Sequence, residues 1–273
     1  MMACLFSFAS WNIEHFVGRQ QRFDRVVDVL RENGPPHVFG IFEVQSSTTV
    51  FNEFTTRMPT HQFFITVTPR SPIDTLIGVS RDFTAFYEQR NELTAGMPTL
   101  RPGALVTLSI NNQNYTLLFV HLKAMDKPLA WGLRDDMVHH IRNLKRRLDQ
   151  IANGKANFIA LGDYNAVGLN VTFSDNDMAD AEELSRYQDV LGARDLTLVP
   201  KDRNETLWNG PGSSDPPADA DHVFASEHLD IRPADHGVGV GVKGWPELGS
   251  DVDKGRWINE LSDHAMIYGE VHT

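Results

Sequence analysis

Residues 157–165 read NFIALGDYN, an apolar run of strand length that leads into a carboxylate and an amide. Asp163 and Asn165 are two residues apart, so they point to the same side if the extended backbone continues past Leu161. A carboxylate at a strand end can align or deprotonate an attacking water, and an amide beside it can donate to a phosphoryl oxygen. The alternative is an Asx-type turn, in which both side chains only bond the local backbone.

Five further polar signatures lie beside apolar runs in the same way as GDYN. They add oxygen ligands of the kind that Mg²⁺ prefers, together with imidazoles that can move protons or bind phosphate near neutral pH. One signature by itself is weak evidence, but the ordered set indicates a metal-dependent phosphoesterase. The five are WNIE (residues 11–14), FEVQ (42–45), VHLK (120–123), DHVF (221–224) and SDH (262–264).

Three of the polar residues suit a divalent metal ion. Glu43 ends an apolar run, Asn12 directly follows the first apolar run, and Asp263 lies near the far end of the chain. Two carboxylates and an amide oxygen could hold a magnesium ion that keeps several of its waters. The alternative for Glu43 is a charge at the amino terminus of a helix within residues 45–57.

Two histidines, His121 and His264, each lie beside a predicted strand. Phosphoryl transfer mainly requires electrostatic stabilisation of the equatorial oxygens and in-line positioning of the attacking group. An imidazole serves that purpose, and a carboxylate behind it fixes its tautomer. A single histidine in such a place is more often structural, so only the two histidines together indicate a catalytic role.

Composition restricts the class of protein. The formal net charge of −11 argues against tight non-specific binding of DNA, although a local patch with bound metal could still bring phosphate into an acidic cleft. Cys4 is the only cysteine, which excludes an intramolecular disulfide, and we expect it to be buried and inert. With no basic leader and no membrane-spanning stretch, we expect a soluble cytoplasmic protein without a membrane anchor or an obligate protein partner.

Apolar runs of strand length alternate with amphipathic patterns. Residues 22–33 and 129–153 repeat apolar side chains at helical spacing, which predicts two helices. Asn111 and Asn112 suit a hairpin turn, residues 209–219 suit a loop, and the spread of the signatures predicts one domain over residues 1–273. Strands are predicted at residues 6–11, 37–44, 63–68, 76–80, 104–110, 115–121, 157–161, 221–225 and 265–271.

The ordered set of six signatures resembles the endonuclease/exonuclease/phosphatase superfamily, over roughly residues 5–271. The resemblance implies an α/β fold, a four-layer α/β sandwich in which two packed mixed β-sheets are flanked by helices and the active site lies at one sheet edge. It also implies an essential Mg²⁺ (or Mn²⁺) ion bound by Glu43 with help from Asn12, with Asp263 as a further ligand at the metal site.

The same resemblance assigns catalytic roles to residues of the other signatures. Asp163 would align or activate water, Asn165 and His264 would contact the scissile phosphate, and Asp221 would orient His264. His121 matches the second histidine of the deoxyribonuclease type.

Two weaker matches follow from position in the deoxyribonuclease pattern. Asp74 falls where those enzymes keep the carboxylate that orients the second histidine. Arg101 falls where they keep a phosphate-binding arginine.

The chain departs from the best-known branches of the superfamily. It lacks the arginine that follows the GD-N element of inositol-polyphosphate phosphatases, the lysine that follows the QE element of abasic-site endonucleases, and the disulfide of secreted deoxyribonucleases. It looks more like bacterial members of unassigned substrate. The leading hypothesis is a nuclease that cleaves DNA or RNA; the alternatives are a phosphatase or phosphodiesterase acting on a small molecule or lipid, and a non-catalytic interaction protein.

Overall fold

Apolar segments of the chain form two β-sheets in the computed structural model, which describes residues 4–32, 34–232, 237 and 239–272. The helices are α1 (Gln20–Arg31), α2 (Ser47–Arg57), α3 (Pro128–Ala152), α4 (Asp180–Gly192) and α5 (Asp251–Glu260). The strands are β1 (Cys4–Phe16), β2 (Val38–Val44), β3 (His61–Ile65), β4 (Asp74–Ser80), β5 (Thr84–Arg90), β6 (Gly103–Ile110), β7 (Gln113–His121), β8 (Asn157–Asp163), β9 (Leu196–Leu198), β10 (Asp221–Ser226), β11 (Asp230–Arg232), β12 (Gly241–Lys243) and β13 (Met266–His272).

Each sheet mixes parallel and antiparallel pairs. The first sheet has the order β11-β13-β1-β2-β4-β3, with β12 also paired to β13. The second has the order β5-β6-β7-β8-β10-β9. The pairs β1–β2 and β7–β8 are parallel, and each is joined by a crossover that contains a helix, as parallel neighbours require.

Three apolar cores separate four layers. Phe42 and Leu161 belong to the core between the two sheets. Phe23 of α1 and Phe54 of α2 pack on the outer face of the first sheet. Tyr187 of α4 packs with side chains of α3 on the outer face of the second sheet. The predicted four-layer α/β sandwich is confirmed.

Most local predictions agree with the structure. The predicted helices at 22–33 and 129–153 are α1 and α3, each within two residues at the ends that are described. Asn111 and Asn112 have φ of 51° and 61°, the left-handed pair that a two-residue hairpin turn requires. None of the helices in the described part of the chain is long and apolar enough to cross a bilayer.

The sequence patterns missed β5, α4, α5 and the short strands β9, β11 and β12. Strand β5 is an edge strand with alternate exposed side chains, and α5 buries none of its residues, so neither has a strong apolar pattern. The expectation of a buried Cys4 is wrong: Cys4 is exposed, because the apolar core against β1 begins only at Phe6.

A fully buried ion pair joins α3 to α4 beneath two loops. Arg134 donates from Nε and Nη2 to the Glu183 carboxylate at 2.7 and 2.9 Å, and both side chains are completely buried. Arg134 also donates to the carbonyl of Lys123, while Glu183 accepts from the backbone N–H of Gly168. These bonds hold the chain that follows VHLK against the chain that follows GDYN.

We expect Glu183→Gln to destabilise the protein by about 3–5 kcal/mol, because it leaves the buried Arg134 guanidinium without a counter-charge. Urea unfolding measures the loss. The matched control is Asp189→Asn, an exposed acid on the same helix, for which the free energy of unfolding should change by less than about 0.5 kcal/mol. Equal stability of both variants would contradict the role given to the ion pair.

Candidate active site

Strand register brings three ionisable residues into one row at an edge of the second sheet. His121 at the end of β7 is the parallel partner of Asp163, and Asp221 at the start of β10 is its antiparallel partner. Residues opposite each other on neighbouring strands share a face of the sheet, so their side chains lie together. All three are buried.

Gly162 allows β7 and β8 to approach closely just before this row. Its φ is +140°, and a Cβ atom added there would lie 2.1 Å from the carbonyl oxygen of Val120. A larger residue would therefore push the two strands apart and displace Asp163 from His121. The glycine of GDYN is explained by this contact.

His264 and Asp221 form a buried hydrogen-bonded dyad. His264 Nδ1 lies 2.8 Å from Asp221 Oδ2, and the His264 backbone is held by Ser262 Oγ and by the indole N–H of Trp11. Burial opposes the charged form, but the carboxylates of Asp221 and Asp163 outweigh it and raise the pKa of His264 to about 10. The result is an imidazolium whose Nε2 faces Asp163 at 3.9 Å.

Asp163 lies at the centre of the row. Its Oδ1 accepts from the backbone N–H of Asn165 at 3.0 Å, and its Oδ2 accepts from Asn12 Nδ2 at 3.1 Å. His121 Nε2 lies 3.4 Å from the same Oδ2. Burial, reinforced by Asp221 and opposed by His264, raises the pKa of Asp163 to about 7, so this carboxylate can exchange a proton near neutrality.

Glu43 reaches the row from the first sheet through an irregular backbone. It has φ of 60°, and the register of β2 shifts between Ile41 and Val44 on one side. A bulge of this kind re-aims a side chain, and a left-handed non-glycine residue holds about 1–3 kcal/mol of strain that the surrounding fold must offset. Glu43 Oε1 lies 3.8 Å from His121 Nε2, and Oε2 accepts from the His15 backbone N–H at 3.0 Å.

The acidic residues near Glu43 fit a divalent cation. Burial, and then the Asp263 carboxylate, raise the pKa of Glu14, and Glu43 adds to the repulsion. A cation would relieve this crowding of carboxylates, and their hard oxygens suit Mg²⁺. Asn12 faces the cluster with Nδ2, 3.4 Å from Glu43 Oε1, while its Oδ1 accepts from the backbone N–H of Glu14. Asn12 would offer an oxygen to a cation only after its amide turns over.

A tighter group of ligand atoms lies nearby. Within the described ranges, atoms of Asp163, Asp221 and His264 all lie within 4.8 Å of one another, and Glu43 and Asp263 are outside that group. The group could hold a metal, but Nδ1 of His264 is already bonded to Asp221. The structure thus places two sets of candidate ligand atoms here, one at Asp163, Asp221 and His264 and one around Glu43.

The expected contact between Asp74 and His121 is absent from the structure. Asp74 opens β4 in the first sheet, where Ser47 Oγ donates to its Oδ2 at 2.5 Å and the Thr68 backbone N–H donates to its Oδ1 at 2.8 Å. His121 Nδ1 is buried and has no hydrogen-bond partner among the described residues. Both oxygens of the short aspartate side chain thus accept hydrogen bonds from α2 and from the segment between β3 and β4.

Arg101 lies beside the row. It is partly buried, its Nη2 donates to the carbonyl of Leu122 at 2.7 Å, and its Nε has no partner in the part of the chain described. Burial lowers the pKa of Arg101, while the Asp163 and Glu43 carboxylates act in the opposite direction. Asn165 Nδ2 donates to the same carbonyl at 3.2 Å. Arg101 and Asn165 therefore meet at Leu122, next to the two carboxylates.

Sequence reasoning overlooked three residues of this edge. Glu14 is the last residue of WNIE, and Lys123 is the last residue of VHLK, so the signatures contained both without their being assigned a role. His15 lies 3.2 Å from Glu43 Oε2 through its Nδ1. Its φ of 47° follows from the register shift after Asn12, which no sequence pattern marks.

Comparison with known proteins gives the family. The family model described as "Endonuclease/Exonuclease/phosphatase family" matches residues 9–264. The chain belongs to this family. A search of the curated proteins found no match. The family assignment agrees with the resemblance read from the six signatures, and it gives the chain the fold of the family's phosphoesterases.

Solved structures share this fold at low identity. Truncated TDP2 of Caenorhabditis elegans is 18 % identical with a TM-score of 0.67, over 98 % of this chain and 97 % of that one. TDP2 of D. rerio in complex with a single-strand DNA product gives 18 % and 0.67, over 98 % and 99 %. The mannosyl-6-phosphatase Bt3783 of Bacteroides thetaiotaomicron VPI-5482 gives 14 % and 0.61, over 97 % and 99 %.

Two aspartate variants distinguish the carboxylate that is paired with His264 from a carboxylate that only stabilises the fold. Asp221→Asn removes the charge behind His264, so we expect it to reproduce part of the roughly 10²-fold rate loss of His264→Ala. Asp74→Asn should lower the free energy of unfolding by roughly 1–3 kcal/mol and leave kcat nearly unchanged. Steady-state kinetics with urea unfolding measure both effects. A large drop in kcat for Asp74→Asn in a folded protein would restore the rejected contact to His121.

Proposed function

We propose that this protein is a divalent-metal-dependent phosphodiesterase that hydrolyses nucleic-acid phosphodiester bonds by in-line attack of water. One observation carries the proposal: the Nε2 atoms of His121 and His264 both face Asp163 Oδ2, at 3.4 and 3.9 Å. Two imidazoles and a carboxylate that converge in this way can together contact a phosphoryl oxygen and align an attacking water. This is the arrangement that phosphoryl transfer requires.

The residues divide the work according to charge. Asp163 aligns the attacking water and accepts its proton. Hydrogen bonds from Asn12 and from the backbone of Asn165 hold its carboxylate in position. His264, charged and backed by Asp221, stabilises the negative charge that develops on the phosphoryl oxygens.

A second group of residues faces the phosphate from the side of β7. Burial and the neighbouring Arg101 charge lower the pKa of His121 well below its usual range, so His121 acts as a neutral imidazole and binds phosphate through a hydrogen bond. Arg101, with its unpartnered Nε, supplies a fixed positive charge beside it. One N–H of the Asn165 side-chain amide donates to the Leu122 carbonyl, and the other can donate to the phosphate.

The metal belongs at Glu43, with Asp263 and Asn12 as the remaining protein ligands and Mg²⁺ or Mn²⁺ as the ion. When bound, it would neutralise charge on the phosphate and lower the pKa of a bound water. The carboxylate set supports a hard cation, and the small number of protein ligands suits an ion that keeps several waters.

Two considerations bear on the substrate. The structural similarity to TDP2 with a single-strand DNA product supports a nucleic-acid substrate. The net charge of −11 and the similarity to a mannosyl-6-phosphatase favour the second candidate, a phosphatase or phosphodiesterase acting on a small molecule.

The single cysteine supports action in a reducing compartment such as the cytoplasm.

A substrate panel tests the proposal. Purified protein with magnesium or manganese is incubated with plasmid, single-stranded DNA, RNA, a cyclic dinucleotide, a sphingomyelin analogue, a synthetic phosphodiester and the matching phosphomonoester. We expect the nucleic acids and the diester to be cleaved, with the activity abolished by a chelator. Turnover of the monoester alone would replace the nuclease proposal with a phosphatase, and an inactive Asp163→Asn control excludes a contaminating enzyme.

The metal assignment is tested separately with Glu43→Gln, which replaces an anionic oxygen by a neutral amide. We expect activity at low magnesium to fall by orders of magnitude, about 10²-fold or more, with partial rescue by excess metal and an unchanged far-ultraviolet circular dichroism spectrum. Glu88→Gln, an exposed glutamate on β5, is the matched control and should behave as wild type. Wild-type activity of Glu43→Gln at low magnesium would show that the cation is bound elsewhere.

A further inference from the structure

A second cluster of metal-binding side chains lies at the outer part of the first sheet. Cys4 Sγ, a Glu270 carboxylate oxygen and a His272 ring nitrogen all lie within 4.8 Å of one another. Cys4 begins β1 and His272 ends β13, and the two are direct partners in the antiparallel ladder. Glu270 is two residues before His272 and therefore faces the same side of the sheet. The chain ends of two neighbouring strands thus bring together a sulfur, a nitrogen and an oxygen ligand.

The Glu270 and His272 side chains are placed like two ligands of one metal ion. His272 Nε2 lies 3.0 Å from Glu270 Oε2, yet this buried nitrogen makes no hydrogen bond to any described residue. The two atoms are close, but the ring N–H is not aligned with the carboxylate. In a tetrahedral zinc site, ligand atoms lie about 3.3–3.8 Å apart because each is about 2.0–2.3 Å from the metal. The three ligand atoms of the cluster lie within 4.8 Å of one another, near this range.

The cluster is far from the candidate active site at the second sheet. Asn12 lies near the other end of β1, about 26 Å from Cys4 at roughly 3.3 Å per residue. Glu270 also borders a cavity of about 100 Å³ together with Ser7 and Lys243. The Lys243 ammonium is paired with Glu32, so it does not occupy Glu270.

Alternative roles for these residues are weaker. Cys4 has no second cysteine with which to form an intramolecular disulfide. Ligand softness also separates this cluster from the active site, because thiolate and imidazole select zinc-type ions, whereas carboxylates alone select magnesium.

We propose that Cys4, Glu270 and His272 form a transition-metal site, with Zn²⁺ as the ion and water in the fourth position. Binding displaces the thiol proton to solvent and joins the first and last strands of the first sheet through the metal. A site of this kind stabilises the folded chain, because its ligands are brought together only by the β1–β13 pairing.

Cobalt absorption spectroscopy tests the site directly. A thiolate bound to Co²⁺ gives a near-ultraviolet charge-transfer band, and because the chain has one cysteine, the band can arise only from Cys4. We expect the chelator-treated protein to develop this band at one cobalt per chain and to lose it when Zn²⁺ is added. Cys4→Ser should abolish the band. His272→Ala and Glu270→Gln should each weaken cobalt binding at least tenfold.

His140→Ala supplies the matched control, since His140 is a surface histidine that is also paired with a carboxylate, Asp136. It should leave the band unchanged. Thermal unfolding adds an independent readout: Zn²⁺ should raise the Tm of the wild type and of His140→Ala, but not that of Cys4→Ser. The proposal fails if the wild type shows no band, or if cobalt binds with undiminished affinity after both His272→Ala and Glu270→Gln. The magnesium-dependent activity of Cys4→Ser should equal that of the wild type, which separates this site from the phosphoesterase.

Discussion

The register of three strands, β7, β8 and β10, is the constraint on which the active site depends. It places His121, Asp163 and Asp221 in one row, so that the central carboxylate has a neutral imidazole on one side and an aspartate–histidine dyad on the other. A shift of one residue would turn each side chain to the opposite face of the sheet. The close approach at Gly162 and the apolar packing of both sheet faces hold that register.

The remaining parts of the site are brought to this row at a cost in backbone strain. Glu43 and His15 both have left-handed φ, at register shifts in β2 and β1, and these shifts direct the first sheet's carboxylate across to the second sheet. On the opposite side, the buried Arg134–Glu183 pair fixes the loops that follow VHLK and GDYN. Rigid supports on both sides keep the polar groups in position before substrate arrives, which is the basis of electrostatic catalysis.

The two candidate metal sites differ in the type of ligand atom that they offer. The edge near Glu43 is rich in hard carboxylate oxygens, whereas the cluster at Cys4 combines a sulfur, a nitrogen and an oxygen. Thiolate and imidazole suit zinc-type ions and carboxylates suit magnesium, so the two sites would favour different ions. The first ion would serve the reaction, and the second would tie the two ends of the chain together.

From the sequence, the apolar runs predicted most of the strands, because they are local patterns. The ordered signatures, through the family they resemble, implied the fold class and the pairing of Asp221 with His264, which the structure brings within hydrogen-bond distance. Tertiary structure decided what local pattern cannot encode: which strands are neighbours and where a bulge redirects a side chain. For that reason the expected contact between Asp74 and His121 is absent from the structure, since position in the chain does not reveal that Ser47 and Thr68 bind both oxygens of Asp74. The Cys4 cluster was likewise invisible, because its ligands come from opposite ends of the chain and meet only when β1 pairs with β13.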